Sequence, residues 1–287
     1  MKIDITVMSG AGNIFSVIDG KNYNFSIDDY SKIAQIVCSA NTEYNKKTEG
    51  LLVVMPSTGD TKADFEVWFF NPDGTHSAMC GNGARCAVHF AMENGFINFI
   101  SRKNILFNMQ GNDYRCLIID SQYQIYFPSP EKIDLNKEIF INNSSIIGDY
   151  INVGSDHFVI DYERYFEQDF FEFDINAFAP SIRNNEAFAP NGVNVNIYKI
   201  IDNKIYVRTF ERGVEWETGA CRTGAISTAI SLVLNQNILT PIELIPHSKI
   251  PLVVSFNLNI KLEICGLYLK GPAEILTKYS LDIPSIL

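Results

Sequence analysis

The chain has 287 residues, 46% of them apolar and 20% charged, a globular composition with enough apolar side chains for one large core or two smaller ones. Its 23 basic against 33 acidic residues give a net charge of −10 without a basic block, which argues against nucleic acid and anionic membranes, both of which are held by clustered Lys and Arg. A small acidic substrate stays open, because helix dipoles can outweigh net charge inside a pocket. No run reaches the roughly 18 apolar residues of a spanning helix, and the start of the chain lacks the pattern of a signal peptide. The six cysteines, Cys38, Cys80, Cys86, Cys116, Cys221 and Cys265, show no framework spacing, so the expectation is a cytoplasmic protein with reduced thiols.

Taken in chain order, Ile3 to Met8, Phe15 to Ile18, Leu51 to Met55 and Phe65 to Phe70 have the β-branched and aromatic content of strands. Asn71-Pro72-Asp73-Gly74 is a turn, with Pro presetting φ and Gly tolerating a positive one. Ala84 to Met92 is small or apolar on nearly every side, which predicts a helix buried all round and stopped by Asn94-Gly95. Strands follow at Ile105 to Met109, Tyr114 to Ile119 and Gln124 to Phe127, and Pro128-Ser129-Pro130 reads as a linker. More strands are expected at Ile139 to Asn142, Ile146 to Val153 and His157 to Ile160, then helices near Tyr162–Phe171 and Ile175–Ile182. Gly192 to Tyr198 and Lys204 to Phe210 read as strands, Thr223 to Asn235 as a second buried helix, and Val253–Phe256, Asn259–Cys265 and Leu267–Lys270 as closing strands.

Each half is therefore strands, one apolar helix, and more strands, and each helix is opened by a cysteine in a matching frame. The frames are Cys80-Gly81-Asn82-Gly83-Ala84 and Cys221-Arg222-Thr223-Gly224-Ala225, about half the chain apart. This arrangement predicts an α+β protein of two lobes, in each of which a sheet wraps around a central helix. A helix N-terminus offers unpaired N–H groups and partial positive charge, which is expected to lower a thiol's pKa. Cys38, Cys86, Cys116 and Cys265 read as small buried hydrophobes.

Phe70-Asn71-Pro72-Asp73-Gly74, Met79 to Cys86, Glu211-Arg212-Gly213-Val214, Glu217 to Cys221 and Thr223-Gly224-Ala225 together resemble the diaminopimelate epimerases and their pyridoxal-independent racemase relatives. Ser9 to Asn13, Val193-Asn194 and Gly271-Pro272-Ala273 extend the resemblance over nearly the whole chain. It implies pseudo-twofold symmetry, a barrel-like and mostly antiparallel sheet in each lobe, and a homodimer. The first and last segments of such chains share a lobe, so residues 1–127 with 272–287 would form the lobe of Cys80, and 128–271 the lobe of Cys221. The implied reaction is inversion of an amino acid at Cα, as in lysine biosynthesis, with no cofactor and no metal.

In that reaction Cys80 and Cys221 flank Cα, one as thiolate base and the other as thiol acid, and exchange roles in the reverse direction. The backbone N–H groups of Gly81, Asn82, Arg222 and Thr223 would bind the α-carboxylate. By resemblance Arg212 pairs with a remote carboxylate, Glu211 with an amino group and the thiol's surroundings, and Asn13, Asn71 and Asn194 hold the substrate. His157 matches a histidine beside one catalytic thiol. The sequence departs from the pattern in three places. Arg222 replaces a glycine, where its charge would lower the Cys221 pKa further; Ser155-Asp156-His157 stands for Asn-Pro-His; and Tyr44 to Gly50 replaces a glycine-rich segment. LL- to meso-diaminopimelate is the best substrate expectation. The alternatives are another amino acid such as histidine, met by Glu49 or Asp156, and, from another class, a thiol switch or metal-binding protein.

Overall fold

A computed structural model of the chain describes residues 2–39, 47–59, 62–76, 79–97, 104–141 and 144–283. Tyr44 to Lys46 of the divergent segment, and Asn142 at an expected strand end, lie outside them. The chain divides into one unit of Met1–Tyr126 with Lys270–Leu287, and another of Phe127–Leu269. Among the described residues no helix is long and apolar enough to cross a membrane.

In the first unit the strands are β1 (Lys2–Gly10), β2 (Asn13–Asp19), β3 (Leu51–Pro56), β4 (Phe65–Phe70), β5 (Asn104–Met109), β6 (Asn112–Ile119) and β7 (Gln122–Tyr126). They are completed by the C-terminal strand Glu274–Asp282, which pairs antiparallel with β1. β1–β2 is antiparallel, β2–β3 parallel, β3–β4 antiparallel, β4–β5 parallel and β5–β6 antiparallel. Helix α1 (Ile27–Val37) covers the β3–β4 side, burying Tyr30, Ile33, Ala34 and Val37 against Ile18, Val53 and Phe70. It is not among the elements expected from the sequence, although Ser26 and Asp29 form a capping box at its start, a readable signal. Helix α2 (Gly81–Glu93) packs against β1, β2, β3 and β7 and is buried from Gly81 to Val88, as its small and apolar residues require.

The second unit repeats the pairing series. Its strands are β8 (Lys132–Ile141), β9 (Ser144–Asn152), β10 (Asp156–Asp161), β11 (Asn194–Ile201), β12 (Lys204–Glu211), β13 (Trp216–Glu217), β14 (Ile242–Ile245), β15 (Leu252–Leu258) and, as far as Leu269, β16 (Ile264–Gly271). β8–β9 and β9–β10 are antiparallel, β10–β11 parallel, β11–β12 antiparallel, β12–β14 parallel and β14–β15 antiparallel. Between β10 and β11 lie two four-residue helices, α3 (Ile175–Phe178) and α4 (Pro180–Arg183). Helix α5 (Arg222–Gln236) falls between β12 and β14, where α2 falls between β4 and β5, and packs against β9, β10, β11, β12, β14 and β15.

Two expected elements differ. Tyr162–Phe171 is not a helix beyond the single 3-10 turn Tyr162–Arg164. Its aromatic spacing resembles a helical stripe, but the rings form a cluster instead, with Phe166 centred 5.0 Å from Tyr162 and 4.6 Å from Phe173. Asp169 bends the chain by accepting from Phe171 N–H at 2.8 Å. Asn259 to Glu263 forms a side-chain-capped turn, so the closing strand starts only at Ile264.

Candidate active site

Cys80 is the N-cap of α2, with φ −105° and ψ 115°, and its Sγ accepts from Gly83 N–H at 3.5 Å. The extended cap folds the side chain over the open first turn, where helix N–H groups lack intrahelical partners. The end of β1 crosses this turn: a Cβ on Gly10 would lie 2.4 Å from the Asn82 carbonyl oxygen, so only glycine fits. Arg85, fully buried, ties the turn from behind. Its guanidinium donates to Asn82 Oδ1 at 2.7 Å, Pro272 O at 3.0 Å and Gly81 O at 3.4 Å.

Asn13 pairs with Gly10 across the β1–β2 turn. Its Nδ2 donates to Glu49 Oε2 at 2.6 Å, whereas its Oδ1 is buried and has no hydrogen-bond partner among the described residues. A buried acceptor left unpaired costs about 1–3 kcal/mol and invites a ligand donor such as an ammonium group. Asn71 serves the turn after β4, its Nδ2 donating to Thr75 Oγ1 at 3.0 Å.

In the second unit Cys221 repeats the capping geometry, with φ −99°, ψ 118° and Sγ accepting from Gly224 N–H at 3.4 Å. Thr223 Oγ1 lies 3.5 Å from the same sulfur. The expectation of a lowered pKa fails here. Burial, then the neighbouring Glu211 charge, push the Cys221 thiol well above its ordinary value. The Thr223 hydroxyl, Gly224 N–H and Arg222 charge all act in the expected direction and are outweighed. Cys221 therefore rests as a thiol. The Arg222 guanidinium stacks on Phe127, 4.5 Å from the ring centre, while its backbone N–H keeps its place in the first turn.

Glu211, at the end of β12, accepts a hydrogen bond from Thr218, and burial raises its carboxyl pKa despite that bond and the one to Cys221. His157 is buried completely; Ser155 Oγ lies 3.0 Å from its Nε2 and Asn196 Nδ2 2.9 Å from its Nδ1. Desolvation, reinforced by the Arg222 charge, drops its pKa to about 3, so it is neutral near pH 7. Asn194 bridges two segments, Oδ1 accepting from Arg212 N–H at 2.9 Å and Nδ2 donating to Asp156 O at 2.8 Å. Arg212 Nη1 donates to Asp156 Oδ2 at 3.1 Å and Gly192 O at 3.0 Å, and Asp156 Oδ1 also accepts from Tyr150 and Asn152. The guanidinium thus already faces a carboxylate of the protein itself.

Thr223, Glu211 and Arg222 lie at Cys221, and Ser155 and His157 reach it through Thr223. Asp156, Asn194 and Arg212 form a linked set beside His157, and Asn13 and Glu49 lie in the unit of Cys80. Sequence reasoning missed Arg85, Asn196 and Thr218 as supports. Asn196 could have been found, since it shares a strand face with Asn194 two residues away. Among the described residues no three His, Cys, Asp or Glu side chains gather as metal ligands. A thiol poised over the N–H groups of a helix start, in each unit, can exchange a proton beside a bound carboxylate.

A family model described as diaminopimelate epimerase matches residues 5–122. The diaminopimelate epimerase of Hydrogenobaculum sp. is 33% identical over 239 residues, covering 80% of this chain and 82% of its own. That of Aquifex aeolicus is 31% identical over 267 residues, covering 88% and 90%. Among solved structures, a hydroxyproline epimerase from Agrobacterium vitis superposes with a TM-score of 0.71 at 12% identity, covering 98% of this chain and 92% of its own, a likeness of fold.

Proposed function

The chain belongs to the diaminopimelate epimerase family, and from that premise we propose that it inverts Cα of an amino acid with Cys80 and Cys221 as its two acid–base groups. The carrying observation is the repeated cap: in two units with one pairing series, a cysteine sulfur accepts the N–H of the third helical residue, a glycine. Cys221 rests protonated and acts as the acid when Cys80 acts as the base; in the reverse direction the roles exchange. The N–H groups of Gly81, Asn82, Arg222 and Thr223 receive the α-carboxylate and the charge that grows on it as the proton leaves. Each such donor is worth about 2.7–4 kcal/mol in the transition state. Asn13 Oδ1, which has no partner among the described residues, takes the substrate ammonium, with Glu49 holding the amide in place. No cofactor is invoked. The enzyme is read as a cytoplasmic homodimer, a state that light scattering on the eluting protein would test.

LL-diaminopimelate, converted to the meso form, is the leading substrate, on the names of the relatives. A second reading, a different amino acid such as histidine, is favoured by one observation: Asp156 occupies the Arg212 fork that a remote substrate carboxylate would need. Incubation in heavy water with a panel of amino acids decides both. Deuterium should enter Cα together with inversion, and Cys80→Ser and Cys221→Ser should each slow it by about 10²–10⁴-fold. Full turnover by either variant would falsify the two-thiol reading, and turnover of histidine without LL-diaminopimelate would replace the substrate.

A further inference from the structure

A chain of hydrogen bonds ends on the Cys221 sulfur and begins in the core of its unit. Asn196, fully buried on β11, accepts from Thr209 Oγ1 through its Oδ1 at 2.8 Å. Its amide nitrogen, the end left for His157, lies 2.9 Å from Nδ1 and must donate there. A neutral ring whose Nδ1 accepts carries its proton on Nε2. Nε2 faces Ser155 Oγ at 3.0 Å, Ser155 Oγ donates to Thr223 Oγ1 at 3.0 Å, and Thr223 Oγ1 lies 3.5 Å from Cys221 Sγ. Asn194 Nδ2 spends one of its two protons on Asp156 O at 2.8 Å and lies 3.5 Å from Nε2, farther than Ser155 Oγ at 3.0 Å, so Ser155 is the nearer partner of Nε2. With both Thr209 and His157 donating, the polarity has one direction. Each hydroxyl accepts from behind and donates ahead, and the last proton points at sulfur.

We propose that Ser155, held by His157 and Asn196, is a positioning residue that aims the Thr223 hydroxyl proton at Cys221 and so favours the thiolate left when Cys221 gives up its proton. No proton travels along the chain; the hydroxyl is an oriented donor whose bond strengthens as charge appears on sulfur. The charged groups around it are Glu211 and Arg222 at the thiol, and Arg222, Asp156 and Arg212 at His157. His157 stays neutral through the working range, so the polarity does not invert. Gly224 belongs to the same device, because a Cβ there would lie 2.5 Å from Asn196 Oδ1 and 2.8 Å from Thr209 Oγ1.

The proposal rests on the reading of Cys221 as an acid–base group, and its test separates the two. Cys265, expected to be buried, is exposed; in protein carrying Cys80→Ala and Cys265→Ser, the remaining cysteines other than Cys221 are buried at 0–2% exposure. Alkylation of Cys221 by iodoacetamide, followed on its peptide by mass spectrometry against pH, then reports its ionisation. Adding Ser155→Ala should move the profile up by about one pH unit, a ten-fold loss of thiolate at a given pH below the midpoint, and Ser155→Thr should restore it. Superimposable profiles for Ser and Ala would overturn the proposal. The tautomer offers a check on the unaltered chain: nitrogen NMR of labelled histidine should show His157 protonated on Nε2, and a proton on Nδ1 would overturn it equally. Full epimerisation by Cys221→Ser would remove the acid–base reading while leaving the alkylation result to stand or fall alone.

Discussion

Two glycines at the same place in two helices carry different constraints. Gly83 and Gly224 each offer an N–H to a capping sulfur, but a Cβ on Gly83 would meet Leu52 Cδ2 at 3.2 Å, an aliphatic branch with room to shift. On Gly224 it would strike the hydrogen-bonded Asn196 and Thr209 pair at 2.5 and 2.8 Å. Gly224→Ala should therefore cost about 1–3 kcal/mol of stability by overpacking. Gly83→Ala should stay within about 1 kcal/mol, because helix propensity offsets its mild crowding. Urea unfolding of the two variants checks the contrast, and equal losses would contradict it. Both cysteine frames are readable as N-caps in the sequence. The protonation of Cys221 is not, since it depends on Glu211, ten residues earlier in the chain, and on burial that the fold alone creates.

At the scale of elements, α2 is fixed by a buried cation rather than by a hydrophobic stripe alone. Arg85 links the first turn of that helix to Pro272 at the far end of the sequence, and His89 Nδ1 faces Ala273 O at 3.0 Å on the same segment. Arg85→Ala would strand buried acceptors and open a cavity, at about 2–4 kcal/mol. Arg85→Lys should recover only part, because an ammonium lacks the planar fork that reaches three oxygens. A chemical denaturation midpoint unchanged in Arg85→Ala would show that the latch carries no load. The motif Gly271-Pro272-Ala273 was visible in the sequence, but its partner was not, because the two are 187 positions apart. Tyr162–Phe171 is the converse case, since its aromatic residues at helical spacing pack as a ring cluster around a turn.

For the whole molecule, buried titratable groups set the pH range of stability. His157 has a pKa near 6.5 when unfolded and about 3 when folded. The folded form cannot take up the proton that the unfolded chain binds, so stability is complete above about pH 6.5 and falls as pH drops toward 3. One proton over two pH units is about 2.7 kcal/mol. The urea midpoint should therefore drop more between about pH 7 and pH 4.5 in the parent than in His157→Gln, and parallel drops would contradict the assignment. Cys38 and Cys116 are pushed up by burial, to about 11 and about 12. The unfolded thiols ionise first, so the stability those cysteines confer is present below pH 9 and declines above it.

The sequence by itself determined the α+β class, the duplicated plan, the two cysteine caps and the family. These are carried by local patterns: apolar helices without a polar face, turn chemistry, and contiguous motifs around each thiol. Tertiary structure decided how the caps are supported and charged. The Arg85 latch, the chain from Asn196 through His157 and Ser155 to Thr223, and the Asp156–Arg212 pair all join residues on separate elements. Desolvation and hydrogen-bond polarity belong to the space around a group, and neighbours along the chain do not define that space.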